Sequence, residues 1–483
     1  MADSDDDRPD LNPPPAGGKA SVLPVFDEEE GEGYELEPAI VETVVTALDE
    51  DAHDVVREQI RGLHYADAAD LLERLTSDQR LGIMDAIGED FDPDVLTELD
   101  ETIRDEILEH LGPVNAAQAI AELDTDDAVE VMREMDAADQ EQIFDAIPED
   151  DRTLIKASLS YPEDSAGRLM QRELMTVPLD WTVGNTIDFL RESAEGDEWE
   201  LPEIFYDIFV VDSGHRPLGM IPLSLLLKHK REATVSGIMQ TEMKLISVTA
   251  DQEDVAFLFR QRDLVSAPVV DDEGHLVGAI TIDDVVDVID EEYEEDIMRL
   301  GGVKEGDLYH AALDTTRSRF SWLLVNLITA IAASVVIGLF EGSIDQMVAL
   351  AVLMPIVASM GGNAGTQTLT VAVRALATKE LTTTNAFRVI GKELIVGGFN
   401  GILFAVLTGL VAWVWFGDPL LGYVIAAAMV VNMVVAGLAG SSIPLFFERI
   451  GVDPAIASGV FLTTVTDVVG FAAFLGLAAL FLL

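Results

Sequence analysis

Apolar residues recur with a step of twelve between about residues 71 and 147. Leu75, Ile87, Leu99, Leu111, Leu123, Met135 and Ile147 mark the step, and pairs such as Leu71-Leu72, Ile83-Met84, Ile107-Leu108 and Ile143-Phe144 precede them in the same rhythm. Within each unit the apolar positions fall at i, i+1 and i+4, one face of a helix. Gly88, Gly112-Pro113 and Pro148 lie between units. The pattern predicts short helices stacked in a superhelix, which we assign to 38–165. A packed core accounts for each of these apolar residues, so the repeat carries architecture and no chemistry.

A second unit occurs twice between about 170 and 290. Leu169-Met170-Gln171 returns as Ile238-Met239-Gln240. Phe209-Val210-Val211-Asp212 returns as Pro268-Val269-Val270-Asp271, and Pro217-Leu218-Gly219-Met220-Ile221 returns as Leu276-Val277-Gly278-Ala279-Ile280. The two offsets differ by about ten residues, which places an insertion in the first copy near Glu195–Glu203. Each copy reads as strand, helix, strand, turn, strand, helix. The pair resembles tandem CBS domains, at 166–232 and 233–290. That resemblance implies an adenine nucleotide such as ATP as a ligand. The ribose-binding pattern Ser/Thr-x-x-Asp is matched by Thr281 and Asp284 in the second copy, whereas the first has Pro222-Leu223-Ser224-Leu225.

The C-terminal part has a different pattern. Charge-free stretches run over 320–340, 346–373, 394–417 and 419–447, and 454–483 is interrupted only by Asp467. Each is long enough to cross a bilayer at about 20 residues. They predict five spans, at about 318–340, 346–376, 388–416, 419–447 and 454–482, in a domain 317–483. Arg317, Arg319, Arg374, Lys379, Arg388, Lys392 and Arg449 all fall on one side of such a bundle. The positive-inside rule then puts the N-terminal half in the cytoplasm and the C-terminus outside.

Charge sharpens the division. Of 483 residues, 88 are acidic and 29 basic, a formal charge of −59; residues 312–483 hold only 9 and 7 of these. The remaining 79 acids and 22 bases exclude a nucleic-acid binder that works by phosphate neutralisation. Adaptation to high salt explains the bulk of this charge, and carboxylates that collect divalent cations explain part of it. Residues 1–37, with Pro13-Pro14-Pro15 and Asp5-Asp6-Asp7, read as a disordered acidic tail without a signal peptide. The chain has no cysteine, no histidine cluster and no Walker-type loop, so no enzyme is expected.

Two places interrupt the apolar spans. In Pro355 to Gln367 a proline and three glycines are expected to free backbone carbonyls at membrane depth, with Gly361, Gly362, Asn363 and Gln367 as cation-facing groups. A tight glycine helix crossing is the alternative. The second place is Thr463-Thr464-Val465-Thr466-Asp467. A lone carboxylate in mid-span is expensive, and a cation is its natural partner. Asn326, Asn400 and Asn432 read as helix–helix hydrogen bonds.

In order and motifs the chain is similar to one family, the MgtE magnesium channels, over about 40–483. The run Gly361-Gly362-Asn363-Ala364-Gly365, the continuation Val371 to Ala377, Asp453-Pro454-Ala455 and Thr463 to Asp467 carry the likeness, and Val460 departs from the proline of many members. The resemblance implies a homodimer with one ion path, in which Asp467 from each subunit holds a Mg²⁺ through its waters. It also implies a gate. Asp251, Glu253, Asp263, Asp284, Asp287, Glu292, Glu295 and Asp296, in the second CBS copy and a connecting helix at 291–316, would bind cytosolic Mg²⁺ and close the path. Nine of the fourteen residues from Asp283 to Asp296 are acids, which repel one another unless cations bridge them. The reading is therefore a multidomain membrane protein, with a helical superhelix, a tandem CBS α/β pair, a connecting helix and five transmembrane helices, that imports Mg²⁺ across the cell membrane. The alternatives are a carrier of Mg²⁺, Mn²⁺ or Co²⁺ coupled to Na⁺ or H⁺, and a membrane-anchored nucleotide sensor.

Overall fold

The computed structural model describes residues 36–193, 204–303 and 312–483. The acidic tail, up to residue 35, and the insertion near Glu195–Glu203 lie outside the described residues. The chain divides into two compact units, 1–99 and 100–483.

In the first unit, α1 (Pro38–Asp49), α2 (His53–Ile60), α3 (Tyr65–Arg74) and α4 (Ser77–Ile87) are short and amphipathic. The twelve-residue step explains them. Leu71, Leu72, Leu75, Ile83, Met84 and Ile87 are all buried, and α4 starts at a capping box in which Thr76 and Gln79 satisfy each other's backbone.

The second unit continues the pattern with α5 (Glu101–Glu122), α6 (Thr125–Glu134), α7 (Ala137–Ala146) and α8 (Glu149–Leu159). Gly112, at φ 72°, and Pro113 break α5 into two arms at the expected turn. Ile107, Ile120, Met132 and Ile143 are buried at the repeat positions.

The two CBS copies have one topology. α9 (Ala166–Leu169) leads to β1 (Thr176–Pro178), α10 (Val183–Ser193), β2 (Asp207–Val211), β3 (Pro217–Pro222) and α11 (Leu223–Leu226). Then come α12 (Val235–Ile238), β4 (Ile246–Ser247), α13 (Gln252–Arg262), β5 (Ser266–Val270), β6 (Leu276–Thr281) and α14 (Ile282–Gly301). In each sheet the first strand is parallel to the second, and the second is antiparallel to the third. A bulge falls between Val210 and Val211 in one copy and between Val269 and Val270 in the other. The Asp-x-x-Gly-His and Asp-Ser-Gly-His turns are closed by Asp271 and Asp212, whose Oδ1 atoms accept from backbone N–H groups of the same turn.

Packing redraws the boundary between the copies. The segment at 166–171 opens the first copy in sequence, yet Ala166 and Met170 pack in the core of the second, and Gln171 pairs with Ala279 of β6. Reciprocally, Val235, Ile238 and Met239 pack with the first core, and Gln240 pairs with Met220 of β3. Each lead-in segment bridges to the edge of the other sheet, which is why the motif at 169–171 recurs at 238–240.

A helix expected over 291–316 begins earlier. α14 runs unbroken from Ile282, because Thr281 and Asp284 cap it and no breaker follows until Gly302, at φ 70°. Residues 304–311 lie outside the described residues. Beyond them come α15 (Ala312–Gly338), α16 (Glu341–Gln346), α17 (Ala349–Ala377), α18 (Ala386–Phe416), α19 (Pro419–Arg449) and α20 (Pro454–Phe481). Five of these are long and apolar enough to cross a membrane. α19 is the central helix, with Ile425, Ala428, Met429, Met433 and Ala436 buried, whereas Leu323, Leu327, Ile402, Val406 and Val411 of α15 and α18 stay exposed. Such an apolar exterior suits hydrocarbon as solvent. α18 and α19 approach to backbone contact. A Cβ added to Gly409 would lie 2.9 Å from the Gly422 carbonyl oxygen, and one added to Gly422 would lie 2.7 Å from that of Gly409.

Candidate ion path and cation-sensing site

α17 is continuous through Pro355 to Gln367, so the expected break in the span is absent. Proline removes one hydrogen bond but the helix closes around it, and the glycines serve packing. Gly361 and Gly365 are buried against Asn432 and Leu462, while Gly362 has open space beside it. The polar residues lie on another face. Ser359, Asn363, Thr366, Gln367 and Thr370 are exposed along α17. A stripe of this polarity does not face lipid. On α20, Thr463 is exposed and turns its hydroxyl onto the Gly459 and Val460 carbonyls at 3.1 and 3.0 Å. Asp467 is half-buried, and among the described residues no hydrogen bond or ion pair reaches its carboxylate. Of the three intramembrane asparagines, Asn432 makes the expected helix–helix bond, Nδ2 donating to the Val357 carbonyl at 2.8 Å.

Glu393 escaped the sequence reading because the charge-free run was counted from 394. It lies two turns inside α18, buried, and accepts from the Thr368 hydroxyl of α17 at 3.2 Å. The available signal was a glutamate abutting a long apolar run.

The acids of α14 divide between two faces. Asp284, Asp287 and Glu291, at i, i+3 and i+7, line a cleft with Asp126, Asp127 and Glu130 of α6. Asp126 was not among the sequence candidates. It is 7% exposed, and neither of its carboxylate oxygens has a hydrogen-bond partner. Burial first, and Asp284 next, push its carboxyl well above the usual range. Burial raises Asp284 to about 6, against the lowering effect of its bonds from Thr281. Thr125 donates to Glu173 at 2.5 Å beside it. Orphaned buried carboxylate oxygens facing other carboxylates suit a hard divalent cation, which takes oxygen ligands. Thr281 donates to Asp284 Oδ2 through its hydroxyl at 2.6 Å and its N–H at 3.1 Å. The Thr-x-x-Asp spacing therefore forms a helix cap here, with its carboxylate turned to Asp126.

The other face carries Glu292, Asp296 and Arg299. Glu292 and Asp296 share a pocket with Glu253, Phe257 and Tyr293 beside Ala377 and Thr378 at the end of α17. Burial, then Asp453 and Glu292, raise Asp296 to about 6. Arg299 pairs with Glu295 one turn back and donates to Asp453 Oδ2 at 2.5 Å. Asp453 is the N-cap of α20, accepting from the Ala455 N–H at 2.7 Å. Lys379, after α17, pairs with Asp254 of α13 and sits 5.1 Å from the Phe257 ring centre. Asp251 caps α13 at its start, near Glu253 and Glu292. Asp263 does not join them. It ends α13 in a left-handed, exposed conformation, about 18 Å from Asp251 at 1.5 Å per helical residue.

Three family models match the chain: a divalent cation transporter over 354–477, an MgtE intracellular N domain over 63–164 and a CBS domain over 235–291. The magnesium transporter MgtE of Thermus thermophilus is 33% identical over 466 residues, which are 92% of this chain and 99% of the relative. This chain belongs to the MgtE family. The MgtE of Bacillus subtilis is 29% identical over 427 residues, 88% of this chain and 94% of the relative. A solved cytosolic domain of the Mg²⁺ channel MgtE in complex with ATP is 30% identical and covers 51% of this chain and 99% of its own, at a TM-score of 0.48. The Thermus thermophilus and Bacillus subtilis relatives are both named magnesium transporters. As an MgtE member, this chain is a magnesium transporter with five apolar helices following an intracellular helical domain and a CBS pair.

Proposed function

We propose that two copies of this chain form a Mg²⁺ channel that admits Mg²⁺ to the cytoplasm and is closed by Mg²⁺ bound among its cytoplasmic acids. The observation that carries this reading is the course of α14. At one end it presents Asp284 to the unpartnered Asp126. At the other, Arg299 holds Asp453, the cap of the helix that bears Asp467. Mg²⁺ between Asp126, Asp284 and Asp287 would neutralise their repulsion and fix α14, and α14 bears directly on α20. The ligand shifts the equilibrium because it binds the compact state better. Asp251, Glu253, Glu292, Glu295 and Asp296 form the second group of sensing acids; Asp263, standing apart, is left out of it.

The exposed polar stripe of α17 with Asn363 and Gln367, and the free carboxylate of Asp467 with Thr463, form the path. A stripe that avoids lipid is covered by a second copy and by water. Mg²⁺ sheds its waters reluctantly, so amide and carboxylate oxygens that hold a hydrated ion suit it. Lys379 and Arg299 tie the α17–α18 and α19–α20 loops to the CBS pair. With the CBS pair cytoplasmic, five spans leave the C-terminus outside. An adenine nucleotide is the proposed ligand of the CBS pair; in the first copy a cleft of about 560 Å³, lined by Leu179, Val211, Leu218 and Ser236 and also by the acids Asp180 and Asp212, has the size for it.

The test is Mg²⁺ flux into liposomes holding the full-length protein, with and without an imposed membrane potential. Flux should follow the potential without a Na⁺ or H⁺ gradient, and Asp467→Ala should abolish it. Flux that requires either gradient sinks the channel reading in favour of a carrier. Parental flux from Asp467→Ala removes that residue from the path.

A further inference from the structure

Asn432 belongs to α19, outside the two helices of the ion path, yet it touches both of them. Its side chain is fully buried in the membrane domain. Nδ2 donates to the Val357 carbonyl of α17, which lies one turn before Gly361 and is also the acceptor of that helix's own ladder. The amide lies flush against two glycines. A Cβ added to Gly361 of α17 would overlap it, and one added to Gly470 of α20 would lie 2.8 Å from Nδ2. Gly361 opens the polar run of α17, and Gly470 follows Asp467 by three residues. The Oδ1 atom has no hydrogen-bond partner among the described residues. A buried acceptor without a donor is destabilising. For stability alone, an apolar side chain would fill the space without that penalty.

We propose that Asn432 is a positioning residue for ion selectivity. One hydrogen bond to Val357 and close contact with Gly361 and Gly470 set the spacing of α17 and α20. They thereby set the distance between the Asn363–Gln367 stripe and Asp467. Mg²⁺ demands near-ideal octahedral geometry, whereas Ca²⁺ accepts flexible shells. A displacement well under 1 Å is enough to weaken such a site. A polar side chain in an apolar contact is also an established way to hold one register among several. The proposal rests on the ion path assigned above.

The test compares the parent with Asn432→Leu, which keeps the branching and heavy-atom count of the side chain and loses the donor, and with Asn432→Asp. The aspartate hydroxyl donates to Val357 when protonated, and the ionised carboxylate repels that carbonyl. Mg²⁺ and Ca²⁺ fluxes are measured in liposomes under a membrane potential. Asp467 and Glu393 are common to every sample, so each ratio is read relative to the parent at the same pH. Because the chain has no cysteine, nitroxide pairs introduced at Thr370 and Phe461 report the α17–α20 spacing without any transport. For Asn432→Leu the Mg²⁺ to Ca²⁺ flux ratio should fall about three- to fifteenfold, the range carried by one interhelical hydrogen bond in a bilayer. Its spacing should shift or broaden. Asn432→Asp should match the parent at low pH and the leucine variant at high pH. If the leucine variant does not fold, the pH profile of Asn432→Asp decides. An unchanged ratio, an unchanged spacing, or a flat Asn432→Asp profile overturns the proposal. Parental flux from Asp467→Ala is a failure of the ion-path reading instead, and the nitroxide spacing still decides whether Asn432 sets the helix distance.

Discussion

Replacing Asp126 with asparagine removes one charge from the cleft between α6 and α14 and keeps its shape. Asp284 there is raised from 3.8 to about 6. At about 1.4 kcal/mol per unit, holding it ionised at pH 7 costs about 3 kcal/mol. Asp126 is shifted in the same direction. The sign follows from proton counting. When the cleft opens, Asp284 returns to its lower ordinary value, so the closed cleft binds more protons between about pH 4 and 6. Its stability therefore falls as pH rises through that window and is lowest above it. Mg²⁺ bound in the cleft as proposed should reverse the loss at pH 7.5. The asparagine variant should melt a few degrees higher than the parent in EDTA, since it lacks the buried Asp126 charge that faces Asp284 and its amide can donate to that carboxylate. It should also lose most of the upward shift that millimolar Mg²⁺ produces in the parent. At pH 5 the parent's own Mg²⁺ shift should shrink. The assay is thermal unfolding of the full-length protein in detergent, with and without Mg²⁺, at both pH values. A variant that melts lower than the parent in EDTA, or that keeps the full Mg²⁺ shift, would refute the reasoning.

Neutralising Asp284, Asp287, Glu292 and Glu295 together should make protease cleavage within 291–316 insensitive to Mg²⁺; protection equal to the parent's would place the sensor elsewhere. Lys379→Met breaks the link from Asp254 and Phe257 to the loop after α17. It should leave Mg²⁺-induced stabilisation intact while flux at saturating Mg²⁺ rises, and unchanged closure would show that α14 alone carries the signal. If the bulk acidity is salt adaptation, the thermal midpoint should fall on transfer from molar KCl to low salt, because unscreened carboxylates repel over a longer Debye length; an unchanged midpoint contradicts it.

Several features were legible from the amino-acid order because they depend on burial and periodicity. The twelve-residue step appears as Ile83, Ile107, Ile120, Met132 and Ile143 in the helical cores. The duplicated motifs appear as two sheets with the same bulge. Five apolar runs are five long helices, and a lone mid-span acid stands out in hydrocarbon whatever surrounds it. The tertiary structure decided what depends on partners. It crossed the lead-in segments at 166–171 and 235–240 between the sheets, since an edge strand is completed by whichever segment reaches it. It made α14 one helix with two acidic faces. It singled out Asp126 and Asn432, which the sequence does not distinguish from similar residues nearby, and it paired Glu393, an acid abutting an apolar run, with Thr368. Among 88 acids, composition alone cannot separate a carboxylate that water solvates from one stripped of its partners, because that difference lies in which other side chains the fold brings against it.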